Sequence, residues 1–162
     1  MKELDLQGDY VMDFLCRRED GLKYREVRNT AVNDDMFIPD NLKEFVKENS
    51  PIAWRNLLKS MDYEGDEGKL MNDLMDFIKD KLKESTNVAI FLNSNKKITF
   101  HGESINLFFV SQTELTGDSD FDKNIFSAVE EMSYSYKYQG KKMFTIRPDI
   151  SFFVNGIFIC YM

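Results

Sequence analysis

Hydrophobic side chains in the first half of the chain recur mostly at helical spacing. Residues 9–20 place Tyr10, Phe14 and Leu15 on one face, and Gly21 follows as a stop signal. Asp40 can cap a short second helix, and Ser50-Pro51 is a typical start for a third. The clearest helix is predicted over 69–84, where leucine or isoleucine recurs every four residues. The apolar positions that define the last three helices are Leu42, Phe45 and Val46; Trp54, Leu57, Leu58 and Met61; and Leu70, Leu74, Ile78 and Leu82.

The pattern changes after residue 86 to short segments rich in branched and aromatic side chains, which are typical of strands. Predicted strands are 87–93, 97–100, 104–110, 143–147 and a closing hairpin around Asn155-Gly156. Alternation of Tyr134, Tyr136 and Tyr138 with polar residues predicts an exposed strand. Residues 121–132 carry Phe121, Ile125, Val129 and Met132 at helical spacing and predict a further helix, and 112–120 are predicted to form a loop.

Helices followed by strands favour an α/β fold of the α+β type, with a mixed sheet flanked by helices. At 162 residues the chain is expected to form one compact unit. Within it, 1–86 is predicted to be a mainly helical segment and 87–162 the sheet-bearing core.

Composition narrows the functional classes. The formal net charge of −7 argues against a protein that coats nucleic acid, although it permits an enzyme that meets DNA at one metal-loaded site. The sequence shows no membrane-spanning apolar run and no signal-peptide pattern, so we expect a cytoplasmic protein. Cys16 and Cys160 fit reduced, buried thiols better than a disulfide.

Several kinds of site are disfavoured by the residues present. Zinc is nearly excluded because there is one histidine, His101, and the two cysteines lack paired spacing. A nucleophilic Cys160–His101 pair would require the fold to bring them together, and a packed thiol and a loop histidine are the better interpretations. There is no phosphate-binding GxxxxGK[ST] stretch, and the acidic run at 62–68 lacks the ligand spacing of a calcium loop.

One local stretch is both basic and aromatic. The tyrosine-bearing strand is followed by further positive charges, and this combination is suited to contact with a DNA backbone. An equally good interpretation is a solvated edge strand whose charges discourage aggregation. The candidate DNA contacts are Lys137, Lys141, Lys142 and Arg147.

Asp149 stands at the mouth of an apolar strand that is predicted to be buried on both faces. A carboxylate in such a place is costly unless it is paired, hydrogen-bonded or bound to a metal. The alternative is a turn residue in solvent, since Pro-Asp is common in turns.

The run RPDISFFVNGIFICYM at 147–162 resembles the nuclease core of the restriction (R) subunit of type I restriction–modification enzymes. The resemblance is strongest over 121–162 and is weaker over 24–58 and 87–110. That family carries a PD-(D/E)xK signature on a hairpin. The resemblance implies a restriction-endonuclease-like sheet, with Asp149 as a catalytic ligand of Mg²⁺ and the family's Glu and Lys at positions 163 and 165, beyond this sequence.

The resemblance also implies the partners: DNA, and the methylation and specificity subunits of the complex, with ATP used only by translocase domains that are not matched here. We therefore expect an N-terminal fragment that binds Mg²⁺ weakly and is inactive alone. The rival hypothesis is a non-catalytic protein-interaction domain, or a decayed nuclease relative, in which Asp149 caps a turn. Asp13 and Glu19 are further acidic candidates in the early helix.

The hairpin at Asn155-Gly156 decides whether two carboxylates can share a face, since strand side chains alternate. A regular two-residue turn pairs Val154 with Ile157 and places position 162 opposite Asp149. A three-residue connection or one bulge places position 163 there instead. We predict that this hairpin has either a three-residue connection or one bulge. The predicted faces are Asp149, Ser151, Phe153, Ile157, Ile159 and Tyr161 on one side, and Ile150, Phe152, Val154, Phe158, Cys160 and Met162 on the other.

Overall fold

The computed structural model describes residues 9–110, 120–138 and 141–162. The chain divides into two compact units, unit 1 (Met1–Ile38 with Phe126–Met162) and unit 2 (Pro39–Ile125). The predicted division after residue 86 falls inside unit 2. The predicted loop at 112–120 lies outside the described residues except for its last position.

The helices and strands are numbered along the chain. Residues 9–12 are α-helical and run into one π-helical turn at Asp13–Arg17, and we call 9–17 α1. The other helices are α2 (Pro39–Asn49), α3 (Pro51–Lys59), α4 (Glu67–Lys83) and α5 (Val88–Ser94). The strands are β1 (Arg25–Val27), β2 (Lys97–Phe100), β3 (Glu103–Asn106), β4 (Phe126–Glu130), β5 (Tyr134–Tyr138), β6 (Lys141–Ile146), β7 (Ile150–Val154) and β8 (Ile157–Tyr161).

Unit 1 is built on a mixed four-stranded sheet in the order β1-β4-β7-β8. β1 runs parallel to β4, and the other two pairings are antiparallel. One face packs Met12 and Leu15 of α1 on Ala128 and Ile150. The other face packs Val129 and Phe153 under Ile38, with Met132 in the same cluster. The predicted mixed α/β class is therefore confirmed.

Unit 2 combines α2–α5 with the β2–β3 hairpin, and most of the apolar positions that the helical spacing indicates are buried. Leu42, Phe45, Leu70, Leu74 and Ile78 are fully buried. Ser50 precedes α3 as predicted, but its Oγ accepts a hydrogen bond from the Asn106 backbone N–H at 2.9 Å and makes no capping bond. Met61 is 90% exposed because α3 ends at Lys59.

The strand predicted at 87–93 is wrong, because these residues form α5. The Asn87 Oδ1 accepts a hydrogen bond from the Ile90 N–H at 2.8 Å and caps the helix. Only Phe91 and Leu92 of this apolar run are buried, as expected for one helical face. The strand predicted over 104–110 is also shorter in the structure, since β3 ends at Asn106.

The helix predicted over 121–132 is wrong. A 3₁₀ turn at Asp120–Lys123 leads into β4, which lies between β1 and β7. Ser127, Ala128 and Val129 are consecutive and all fully buried, which a helical stripe cannot achieve.

The predicted face of α1 is wrong too, since Tyr10 is 68% exposed and Met12 is buried. Met12 and Leu15, three positions apart, face the sheet with Val11 and Cys16 beside them, whereas Tyr10 and Phe14 share the exposed side of α1. In the described part of the chain, none of the helices is long and apolar enough to span a membrane.

Candidate functional site

Asp149 directly precedes β7, the strand that lies between β4 and β8. Its backbone is held on both sides: the Asp149 C=O accepts from the Glu131 N–H at 3.0 Å, and the Asp149 N–H donates to the Met162 C=O at 3.1 Å. Its side chain is exposed, while Ile150 beside it is 2% exposed. The predicted central strand is confirmed. Hydrogen bonds hold the backbone of Asp149 in place, whereas its carboxylate is exposed to solvent.

The β7–β8 connection has two residues, so a three-residue loop is wrong. Asn155 and Gly156 have φ of 50° and 78°, and positive φ at both central positions is the signature of a type I′ turn. The turn is not a solvent-exposed tip, because Asn155 is fully buried and the Gly156 C=O accepts from the Ile38 N–H at 2.9 Å.

The predicted bulge is present. Phe153 pairs with Phe158 whereas Phe152 pairs with Cys160, which leaves Ile159 as the extra residue of β8. Beyond the bulge, Ile150 and Met162 exchange backbone hydrogen bonds of 3.2 and 2.9 Å. A residue that continued β8 past Met162 would therefore lie opposite Asp149.

The bulge also corrects two predicted side-chain positions. Phe158 shares a face with Phe153, and their ring centroids are 5.6 Å apart. Ile157 faces the same way as Val154, with which it pairs. Because the extra residue is inserted after these two pairs, only Ile157 and Phe158 exchange faces relative to the prediction.

A carboxylate network lies on the face of the sheet opposite to Asp149. The Arg17 guanidinium binds both carboxylate oxygens of Glu26, at 2.9 and 2.6 Å, and holds the pKa of Glu26 below its usual range. Burial raises the pKa of Glu130, and the nearby Glu26 raises it further while Arg17 opposes the shift. A cleft of about 610 Å³ lies here, and its lining includes Glu26, Arg28, Glu130 and Glu131.

The charge of Glu26 also affects the pKa of Cys16. Burial, with the nearby Glu26 charge, raises the pKa of its thiol to about 11, so Cys16 is a neutral thiol at pH 7. Cys160 is exposed near the end of β8, and the prediction of a buried thiol is wrong there. Both cysteines are free, as predicted. His101 lies in the β2–β3 turn, where its ring meets Phe100 edge-on at 4.5 Å.

The basic and aromatic stretch forms a separate two-stranded ribbon, β5 paired with β6. Glu131, which precedes the ribbon, donates its backbone N–H to the C=O of Asp149, which follows the ribbon, so the ribbon begins and ends beside Asp149. Lys141 and Arg147 are exposed, whereas the side chains of Lys137 and Lys142 lie outside the described part. The ribbon thus carries Lys141, Arg147 follows directly after β6, and the ribbon leaves the sheet at its Asp149 end.

No group of three or more His, Cys, Asp or Glu side chains in the described ranges could hold a metal ion. Asp13 and Glu19, the further acidic candidates, therefore complete no such group with Asp149. By themselves the described residues do not fit Mg²⁺.

Sequence reasoning missed Glu26, Glu130 and their guanidinium partner Arg17. The helix predicted over 121–132 concealed Glu130, whose strand could have been found from the run IFSAV at 125–129, with its branched and aromatic side chains. Arg17 lies in the π-helical turn and meets Glu26 nine positions along the chain, and the sequence has no comparable signal for either feature.

Glu130→Gln is expected to stabilise the protein at pH 7. The raised pKa means that folding disfavours the charged form, so wild-type stability is lost as pH rises through the folded-state pKa. Below the unfolded-state pKa of about 4.3 the two proteins should be equally stable. Urea unfolding from pH 3.5 to 8 measures this, with the exposed acid variant Glu19→Gln of the same unit as the matched control. Equal stability of Glu130→Gln and wild type at pH 7 would contradict the assignment.

Comparisons with known proteins identify no relative of this chain. No protein-family model, no curated protein and no solved structure matches it. Its function must therefore be inferred from its residues and their geometry.

Proposed function

We propose that this chain is the N-terminal nuclease region of the R subunit of a type I restriction–modification enzyme. In the parent complex, with methylation and specificity subunits, it would take part in Mg²⁺-dependent hydrolysis of unmodified DNA. Asp149 would be its first metal ligand. The resemblance of 121–162 to that family motivates the proposal, and the sheet around Asp149 gives it geometric support.

The observation that carries the proposal is the bulged register of the β7–β8 hairpin. Two carboxylates can bind one metal only when they point to the same side of the sheet. The bulge at Ile159 makes the position after Met162 the cross-strand neighbour of Asp149. In a chain that continues with Glu-x-Lys, the glutamate would therefore share a face with Asp149, and so would the lysine two positions later.

A Mg²⁺ ion held by Asp149 and that glutamate would supply a nucleophilic water and would offset charge on the phosphate. The described residues alone offer Asp149, whose carboxylate is exposed and belongs to no ligand group. Its part in the chemistry is to hold one ligand position on a backbone that is fixed from both neighbouring strands. We therefore expect residues 1–162 to bind Mg²⁺ weakly and to leave plain DNA uncut.

The codons that follow Met162 in the gene give the first test. Glu-x-Lys supports the proposal, and a stop codon or unrelated residues would overturn it. The second test is cleavage of unmodified plasmid by the encoded subunit, assembled with its partner subunits and supplied with Mg²⁺ and ATP. Asp149→Asn should reduce the rate by about 100-fold or more. Asp34→Asn, a change at an exposed acid in the same unit, is the matched control and should retain activity.

A second candidate function is binding of another protein, and the open outer edge of β8 favours it. Among the described residues, this edge is bridged to another segment only at Phe37–Ile157. Tyr161 and Met162 are 53% and 60% exposed. An open strand edge can pair with a strand from another protein. In this case Asp149→Asn would leave partner binding unchanged.

A further inference from the structure

We infer that the β5–β6 ribbon is a docking surface for single-stranded nucleic acid. Its cations would contact phosphates, and its exposed apolar side chains would stack on unpaired bases. This inference goes beyond the proposed nuclease, because it requires neither Asp149 nor a metal.

Charge is the first support. Residues 132–148 contain four cations and no acid. The whole chain has 21 Lys and Arg against 28 Asp and Glu, so the remainder has 17 against 28, a net charge of −11. Lys141 and Arg147 are exposed and make no ion pair within the described residues. An isolated positive ribbon on an acidic protein is complementary to a polyanion.

Exposed apolar area is the second support. Met143 and Phe144 of β6 are 59% and 55% exposed. The pairing of β5 with β6 shifts register at this point, which leaves Met143 as the extra residue of β6. Position 136 is in register with Phe144, and Tyr134 with Ile146, so the side chains of Tyr134 and Phe144 lie on the same side of the ribbon. On the other side, the Ser135 and Thr145 hydroxyls are 3.0 Å apart. One side is therefore suited to stacking and the other is polar.

Single strands fit this surface better than duplex DNA or a protein does. Aromatic side chains stack on base faces, which are available when the bases are unpaired. A duplex presents phosphates and base edges, and Met143 and Phe144 have no side-chain donor for base edges. Protein interfaces are usually depleted in lysine at their apolar centre, whereas two lysines directly precede the apolar pair here.

The test is fluorescence anisotropy of the 162-residue chain with a labelled 20-nucleotide single strand, and with the matching duplex, at 50 and 150 mM KCl. We expect the single strand to bind more tightly than the duplex. Phe144→Ala should weaken single-strand binding by about 10-fold at both salt concentrations, because it removes stacking. Tyr10→Ala, a change at an aromatic residue 68% exposed in the same unit, should bind as wild type does.

The contribution of the cations is measured by the salt dependence of single-strand binding. Lys141→Ala and Arg147→Ala should each reduce the slope of log affinity against log salt by about 0.7, as expected for one phosphate contact on a single strand. Lys97→Ala, a change at an exposed strand lysine of unit 2, should leave the slope unchanged. Circular dichroism and thermal melting establish that each variant is folded.

Three results would overturn the inference. The first is that no single strand binds at 50 mM KCl. The second is that the duplex binds as tightly as the single strand and that Phe144→Ala has no effect on either. The third is that the protein self-associates in sedimentation, that Phe144→Ala abolishes this association, and that no nucleic acid binds. None of them bears on the codons after Met162 or on cleavage by the assembled enzyme, so the nuclease proposal can fail or survive separately.

Discussion

Phe153→Ala is expected to lower the free energy of unfolding by about 3–5 kcal/mol. Phe153 is 1% exposed in the middle of the central strand β7. It packs in the cluster of Ile38, Val129 and Met132, and its ring meets Phe158 edge-on. Truncation removes this buried area and leaves a cavity, since strands on both sides hold the backbone in place.

Urea unfolding followed by circular dichroism measures the loss, and hydrogen exchange of the β4 and β7 amides assigns it to unit 1. Met143→Ala is the matched control, because Met143 is a large apolar residue of the same unit that is 59% exposed. Its effect should stay within about 0.5 kcal/mol. A loss for Phe153→Ala no larger than that of the control would show that the described core is wrong.

Gly21→Ala should destabilise unit 1 by about 1–3 kcal/mol, although it adds only one methyl group at a half-buried position. A Cβ at Gly21 would lie 1.9 Å from the Phe14 carbonyl oxygen and 3.2 Å from that of Arg18. Both are backbone atoms at the end of α1, so relief requires the chain to move. The turn that follows leads to Tyr24, whose ring stacks on Phe126 at 5.6 Å.

Gly68→Ala is the control for Gly21→Ala in the same unfolding assay. There the nearest atom to a new Cβ is the Asp66 Oδ1, at 3.3 Å, on a side chain. Gly68 is in the first turn of α4, where alanine also lowers the entropic cost of folding. We expect no loss of stability in this variant. Wild-type stability in Gly21→Ala would refute the described backbone path between α1 and β1.

These two residues show what the sequence could and could not predict. Strong four-residue periodicity predicted α4, because its apolar stripe has no competing interpretation. Gly21 was recognised as a stop, but its reason lies in the close approach of the Phe14 carbonyl. Its φ is not in the left-handed region, which is the usual reason for a glycine after a helix.

Short apolar runs were ambiguous for a physical reason. The run VAIFL at 88–92 suits a strand by composition, yet the local Asn87 cap stabilises a helix. Residues 126–130 become a strand because partners from distant parts of the chain pair with them on both sides. Such pairing is invisible to a local pattern.

The candidate site was predicted in part. The bulge in β8 followed from the requirement that two carboxylates share a face, and the structure contains it. The sequence does not determine the number of residues in the β7–β8 turn, because Asn-Gly suits a two-residue type I′ turn as well as a longer one. The ribbon was recognised as a strand with cations near it. Its emergence beside Asp149 depends on the order of strands in the sheet.

The order of strands also has a consequence for how the protein forms in time. Unit 1 contains the first and last parts of the chain, and Asn29 meets Glu131 across 102 positions. During synthesis, β1 has no partner strand until β4 has emerged, whereas unit 2 is continuous and is complete before then. Closing a long loop is entropically costly and slows folding. We therefore expect unit 2 to fold first on the ribosome, and the sheet that carries Asp149 to be the last part of this chain to form.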